Sequence, residues 1–485
     1  MQSGRRPIIL IAVILFFTCL CLVGAGAAAV SFFSIRESTF IPGSDTINPS
    51  ATQMEPGETD PPVPATETPA SPGESPEATG QDPGSDEDLP AAVVASMETI
   101  QDQVIQLRGL DPAEEFTRAI FSPEDMRERV VNDFFADYTP EEAGDDALVL
   151  AVFGLLEPEY DLIALYIELF SEQVAGFYDD DTREMVVVGS ESFGGPEKLT
   201  YAHEYNHALQ DQNFDFDGAL MYNEDACEAD SERCAAIQAL IEGDSTLLEL
   251  EWFMEYATDL DLQQIIEYFN SLDLSVLDHA PAFLQLDFVF PYDQGYLFVE
   301  SLFNGGGWEA VDAAYADPPV STEQILHPEK YPGDAPAAVE LPDLLPVLGD
   351  DWELLDENVM GEWYTYLILG HGFAAGFRLG DEEAAAAAAG WGGDRYAVYH
   401  NRDTGATVMA LKAAWDTPAD ALEFAEAFED YAAARFGPGS AGPSGSTLYE
   451  SDSGVHLFLE TGGTTIWIAA PDPSVAAAML TAVNE

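Results

Sequence analysis

The chain has 485 residues, with 16 Lys and Arg against 89 Asp and Glu and a formal net charge of −73. Such acidity repels phosphate backbones and argues against any nucleic-acid partner. The hydrophobic share of 47% is ordinary for a globular protein, so the acidic residues coat a core rather than mark a disordered chain.

Arg5 and Arg6 precede an apolar run from Pro7 to about Phe33, long enough to span a bilayer. The arginines should stay cytoplasmic and place everything downstream outside. Residues 1–36 are therefore expected to be a membrane anchor, giving a single-pass cell-membrane protein whose bulk is extracellular. The alternative is a signal segment cleaved near Ala25-Gly26-Ala27, which gives a secreted protein. In 37–90, Pro, Ser, Thr, Gly and acidic residues dominate. That composition cannot bury enough apolar area to fold and predicts a disordered tether.

From about Ala91 to Phe170 the apolar residues recur at helical spacing: Val104, Leu107 and Leu110, then Phe116, Ile120 and Phe121. The stretch from Gln173 to Val188 changes period. Ala175-Gly176-Phe177-Tyr178, a turn at Asp179-Asp180-Asp181-Thr182, and Met185-Val186-Val187-Val188 predict a β-hairpin. A helix start follows at Gly194-Gly195-Pro196-Glu197, with Pro at the first helical position and an acid in the first turn.

That helix carries His203-Glu204-Tyr205-Asn206-His207, an H-E-x-x-H pattern. Imidazoles four residues apart share one helix face and can ligate one ion, and Glu204 can reach a water on that ion. This is the arrangement that zinc-dependent peptide hydrolysis needs. His279, His371, His400 and His456 have no partner at ligand spacing, and His327 beside Pro328 reads as structural turn chemistry.

An open catalytic site requires a third protein ligand. A third His six residues after His207 is absent, because Asn213 stands there. The favoured candidate is Glu242, in a second helix containing Ala239 to Ser245. Gly243 costs about 1 kcal/mol in a helix interior, so its presence predicts a close helix approach there. Glu228, Asp230 and Glu232 are rivals that read as solvated surface acids. Cys227 and Cys234 are either a local disulfide, if a loop breaks the helix between them, or two free thiols.

Two further segments carry a resemblance: Ile241-Glu242-Gly243-Asp244-Ser245, and Pro291-Tyr292-Asp293-Gln294-Gly295-Tyr296 before the helical Leu297-to-Phe303 stretch. Together with H-E-x-x-H they resemble the gluzincins, zinc peptidases whose ligands are two His and a downstream Glu. The likeness spans Gln173 to about Tyr331. It implies a zincin-like fold and one zinc ion on His203, His207 and Glu242, with Glu204 as the base. By the same resemblance Tyr292 stabilises the transition state. In one branch an Asp four residues after the Glu orients a ligand His; here that position is Thr246, and Asp244 or Asp211 are the substitutes. The run from His203 to Gln212 also resembles exported bacterial and archaeal proteins carrying H-E-x-x-H-A-L-Q-D-Q.

After a Pro-rich stretch (332–346) the pattern restarts. Helices are expected at Glu362 to Leu369, 384–389 and Asp420 to Ala433, and strands at 397–399, 408–411, 457–459 and 465–468. Trp391-Gly392-Gly393-Asp394 reads as a structural turn.

The expected fold is α+β: a mainly helical, zincin-like metallopeptidase domain with a small β-sheet at 91–346, then a small α+β module at 347–485. The expected function is zinc-dependent peptide-bond hydrolysis at the extracytoplasmic side. A peptide or protein is the substrate, and the strand at Glu184–Val188 could offer an edge to its backbone. The alternative is a non-catalytic surface protein in which the zinc is structural or a peptide is bound without turnover.

Overall fold

The computed structural model describes residues 89–485, apart from 137, 158, 190, 191, 452 and 453. The expected anchor, and all of the expected tether but its last two residues, lie outside the described residues. Among the described residues, no helix is long and apolar enough to cross a membrane.

The fold is α+β. Among the described residues the strands form two sheets. The first has three strands, β1 (Thr117–Phe121), β2 (Gly176–Asp179) and β3 (Glu184–Val188), in the order β1-β3-β2. The hairpin β2–β3 falls where the alternation placed it, with Phe177 opposite Val186 and Tyr178 opposite Met185.

Two expectations change here. Thr117–Phe121 is a strand paired in parallel with β3, not part of a helix. Five residues, Thr117-Arg118-Ala119-Ile120-Phe121, are too few for their period to separate helix from strand. Glu184–Val188 is the central strand, with both neighbours hydrogen-bonded, so it offers no edge; the edges belong to β1 and β2.

The motif helix spans Gly195–Phe214 and starts as its sequence predicts, with Pro196 in the first turn and the Glu197 carboxylate accepting from the Gly194 amide at 2.8 Å. The helix that carries Glu242, here called the ligand helix after the expectation for that residue, spans Ser231–Tyr256, and the crossing helix spans Phe290–Gly306. Tyr292 thus stands in the first turn of a helix, not ahead of one.

Ligand and crossing helices touch backbone to backbone. A Cβ on Gly243 would stand 2.1 Å from the Gly295 carbonyl oxygen, and a Cβ on Gly295 would stand 2.1 Å from that of Ala239. Neither position can carry a side chain unless the helices separate.

The ligand helix is also fixed at its start. A short helix, Glu224–Ala229, breaks at Asp230, whose side chain caps the ligand helix by accepting from the Arg233 amide. That break brings Cys227 and Cys234 to a Cα separation of 5.4 Å, and they form a disulfide.

The second sheet runs β4-β5-β6-β10-β9-β8-β7. These strands are β4 (Glu353–Asn358), β5 (Trp391–Asn401), β6 (Ala406–Trp415), β7 (Ser440–Ala441), β8 (Thr447–Ser451), β9 (Gly454–Thr461) and β10 (Thr464–Ala470). Alternate residues serve two cores, as the two-residue period of a strand requires. Ala397, Tyr399, Ile466 and Ile468 pack with the terminal helix Pro473–Asn484. Tyr396, Val398, Met409 and Trp467 join a core that is continuous with the helical part, where Phe153 meets both Tyr396 and Trp467 edge-on. Trp391-Gly392-Gly393-Asp394 is not a turn but the bulged start of β5, with a register shift between Trp391 and Gly393. Glycine inside a strand marks such a bulge.

Gly243→Ala should destabilise the fold. Helix propensity would favour alanine by about 1 kcal/mol, but overpacking against a carbonyl costs up to about 3 kcal/mol, for an expected net loss of about 2 kcal/mol in urea unfolding. Replacing Cys227 and Cys234 together by Ser should remove about 2 kcal/mol by the loop-closure relation. The second loss should vanish when both proteins are unfolded under reducing conditions.

Candidate metal centre

Motif and ligand helices run antiparallel across a buried interface. His203 faces Glu242 and Glu249, His207 faces Glu242 and Ser245, and Gln210 reaches the Ile241 carbonyl. Among the described residues, His203, His207 and Glu242 are the one group of three or more His, Cys, Asp or Glu that could hold a metal. Their ligand atoms all lie within 4.8 Å of one another. The Nε2 atoms of His203 and His207 stand 3.2 and 3.4 Å from the same atom, Glu242 Oε2.

The opposite ring nitrogens are occupied. His203 Nδ1 lies 3.0 Å from Glu249 Oε2. His207 Nδ1 lies 2.8 Å from Gln210 Oε1, whose amide is oriented by its own donation to Ile241 O. With a proton at each Nδ1 and the Nε2 proton of His203 displaced, as a bound cation requires, both Nε2 lone pairs would be directed at one place, the arrangement by which a second hydrogen bond orients a metal-ligating imidazole.

All of these residues are buried: His203, Glu204, His207 and Glu242 have no exposed surface, and Glu249 and Tyr292 are 1% exposed. His207 Nε2 and Glu242 Oε1 have no hydrogen-bond partner. Leaving buried polar atoms unsatisfied costs roughly 1–3 kcal/mol each. A cation coordinated by both would remove that cost, so the donor set fits a divalent metal.

Burial alone would lower His203, but its hydrogen bonds to Glu242 and Glu249 outweigh this and hold it up to about 10. Burial alone would raise Glu242, yet the imidazoles of His207 and His203 keep its carboxyl below the usual range. For Glu249 burial prevails over the attraction of His203, and its carboxyl is raised.

Glu204 projects from the motif helix beneath the first residue of β2. A Cβ on Gly176 would lie 2.6 Å from Thr200 Cγ2 and 3.3 Å from Glu204 Cγ, so glycine lets the edge strand lie directly on the carboxylate-bearing face. The Tyr292 ring lies 6.4 Å from that of His203.

The remaining sequence candidates have other roles. Asp230 is the helix cap, and Glu232 accepts from the amide and hydroxyl of Thr322. Asp244, one of two expected partners for a ligand His, instead holds Arg108, Asn206 and Tyr315. The other, Asp211, accepts from Tyr178. Glu249 holds His203 in their place. Seven residues after Glu242 is two helical turns on the same face, a spacing that could have singled it out. Tyr222, also unforeseen, follows the motif helix; burial, then the charges of Glu242 and Asp180, hold its phenol well above the ordinary range. His327 bonds to Glu362 at 2.8 Å and is not part of the His203, His207 and Glu242 group.

Residues 352–480 match a domain of unknown function (DUF8575), a span that covers the seven-stranded sheet and not His203, His207 or Glu242. No curated protein and no solved structure matches the chain.

Glu242→Ala should abolish stoichiometric binding of a divalent metal, measured by elemental analysis after dialysis. Glu249→Gln should retain the site but weaken it roughly 10- to 100-fold, the usual cost of losing a partner that orients a ligand His.

Proposed function

We propose that the chain is an exported zinc metallopeptidase of the gluzincin type, with one zinc ion on His203, His207 and Glu242 and a zincin-like arrangement of its helical part. The observation that carries this reading is the convergence of two imidazole Nε2 atoms on one Glu242 oxygen at 3.2 and 3.4 Å. Ligand atoms about 2.0–2.1 Å from zinc at tetrahedral corners stand roughly 3.3 Å apart. The resemblance to gluzincins and to H-E-x-x-H-A-L-Q-D-Q proteins rests on the same residues. The Cys227–Cys234 disulfide supports an oxidising compartment, as expected beyond an N-terminal membrane anchor or cleaved signal.

A zinc ion bound there supplies Lewis acidity and lowers the pKa of a coordinated water towards about 7. The chain's own groups do the rest. The Glu204 carboxylate takes a proton from the attacking water and delivers it to the departing amine. The Tyr292 hydroxyl donates to the oxygen of the cleaved carbonyl as charge develops on it. Glu249 and Gln210 keep the ligand rings in one tautomer and orientation. The substrate is a peptide or protein, and β2, the edge strand lying against Glu204, is where its extended backbone would run.

Full burial of the ligands favours a second reading, in which the ion only staples the two helices. Against it stands the ligand count, since structural zinc sites are usually closed by four protein ligands and often use Cys. In the peptidase reading the covering elements part to admit substrate.

Glu204→Gln should keep one zinc per chain and lower hydrolysis of a mixed peptide library roughly thousandfold. An unchanged rate sinks the assignment of the base. A wild-type chain that is loaded with zinc, melts at lower temperature when stripped of it, and cleaves no peptide establishes the structural reading instead.

A further inference from the structure

Gln238 lies in the ligand helix four residues before Glu242. It is 4% exposed, and its Nε2 has no hydrogen-bond partner. The helix stripe it belongs to is already defined by contacts. Glu242 faces His203 and His207, Ser245 faces Asn206 and His207, and Glu249 faces His203. Steps of four, three and four residues place Gln238, Glu242, Ser245 and Glu249 on one face. Because the two helices are antiparallel, Gln238 extends this face past Glu242, on the side away from Glu249. Four residues correspond to about 6 Å along the helix axis.

A buried amide donor without a partner is destabilising, and a Met or Leu would fill the same volume without that cost. One turn from Glu242, such a donor would be accounted for by a ligand acceptor that completes it. A peptide backbone offers such an acceptor, and an extended chain advances about 3.3 Å per residue. The displacement from Glu242 therefore matches roughly two residues of substrate.

We propose that Gln238 positions the substrate by donating its Nε2–H to a backbone carbonyl one or two residues from the cleaved bond. This rests on the peptidase reading above. Gln238 makes no contact with the departing or attacking groups; it holds the chain in line with them.

The test compares the full chain with its Gln238→Met and Gln238→Glu variants, zinc-loaded, on a cleaved peptide and on versions shortened from each end. Both variants should bind one zinc, and Gln238→Met should melt at or above the wild-type temperature. Each should lose roughly tenfold in kcat/KM on the full-length peptide, the value of one good hydrogen bond. The loss should disappear on the peptide shortened past the contacted carbonyl. An active wild type whose Gln238→Met variant cleaves every length within twofold of it overturns the proposal and leaves the peptidase reading intact. A loss of equal size on all lengths also overturns it, since it reports a general disturbance of the site. A wild type without hydrolysis overturns the peptidase reading and this proposal with it.

Discussion

Everything in the helical part answers to one constraint: several ionisable side chains must be kept out of water between two helices. An unpaired charge in a dry interior is costly enough that it neutralises or drives rearrangement. Here His203 is shared by Glu242 and Glu249, and Asp244 is held by Arg108, Asn206 and Tyr315. Arg108 comes from the first described helix, Ala91–Arg108, and its guanidinium also lies over the Trp308 ring at 4.4 Å. A residue more than a hundred positions upstream thus balances a carboxylate two residues from Glu242.

Such an interface works only if the helices cannot drift. Glycines remove the freedom that side chains would provide. Gly243 and Gly295 bring the crossing helix against the ligand helix, and Gly176 brings the edge strand onto the motif helix beside Glu204. Each of these approaches is backbone on backbone or backbone on a short stub, which leaves little room for sliding. The disulfide and the Asp230 cap fix the beginning of the ligand helix, two to three turns before Glu242. Precision at the ligands therefore comes from contacts that involve none of the ligands.

The legible parts of the sequence were those with local rules. The motif helix was marked by its Pro196–Glu197 start, the hairpin by its alternation and Asp-rich turn, and Glu242 by its glycine neighbour. Glu249 was not legible, because in a chain with 89 Asp and Glu a buried acid looks like its solvated neighbours until the opposing helix is in place. Thr117–Phe121 carries no local mark of a strand, because its partner β3 lies more than sixty residues away and five residues have no decisive period. The two glycines of Trp391–Asp394 suggest a turn but mark a bulge. There Asp394 accepts from the amides of Met360 and Gly361, fixing the start of the helix Gly361–Gly370. Long-range polar pairing of this kind leaves no trace in spacing.

Complete burial of the ligand set also bears on kinetics. A cation held between the two packed helices would leave only when they part locally, so its residence time would follow the free energy of that opening rather than the strength of its coordination alone. The tight glycine crossing would then act as a clock on metal exchange, far from the atoms that do the binding.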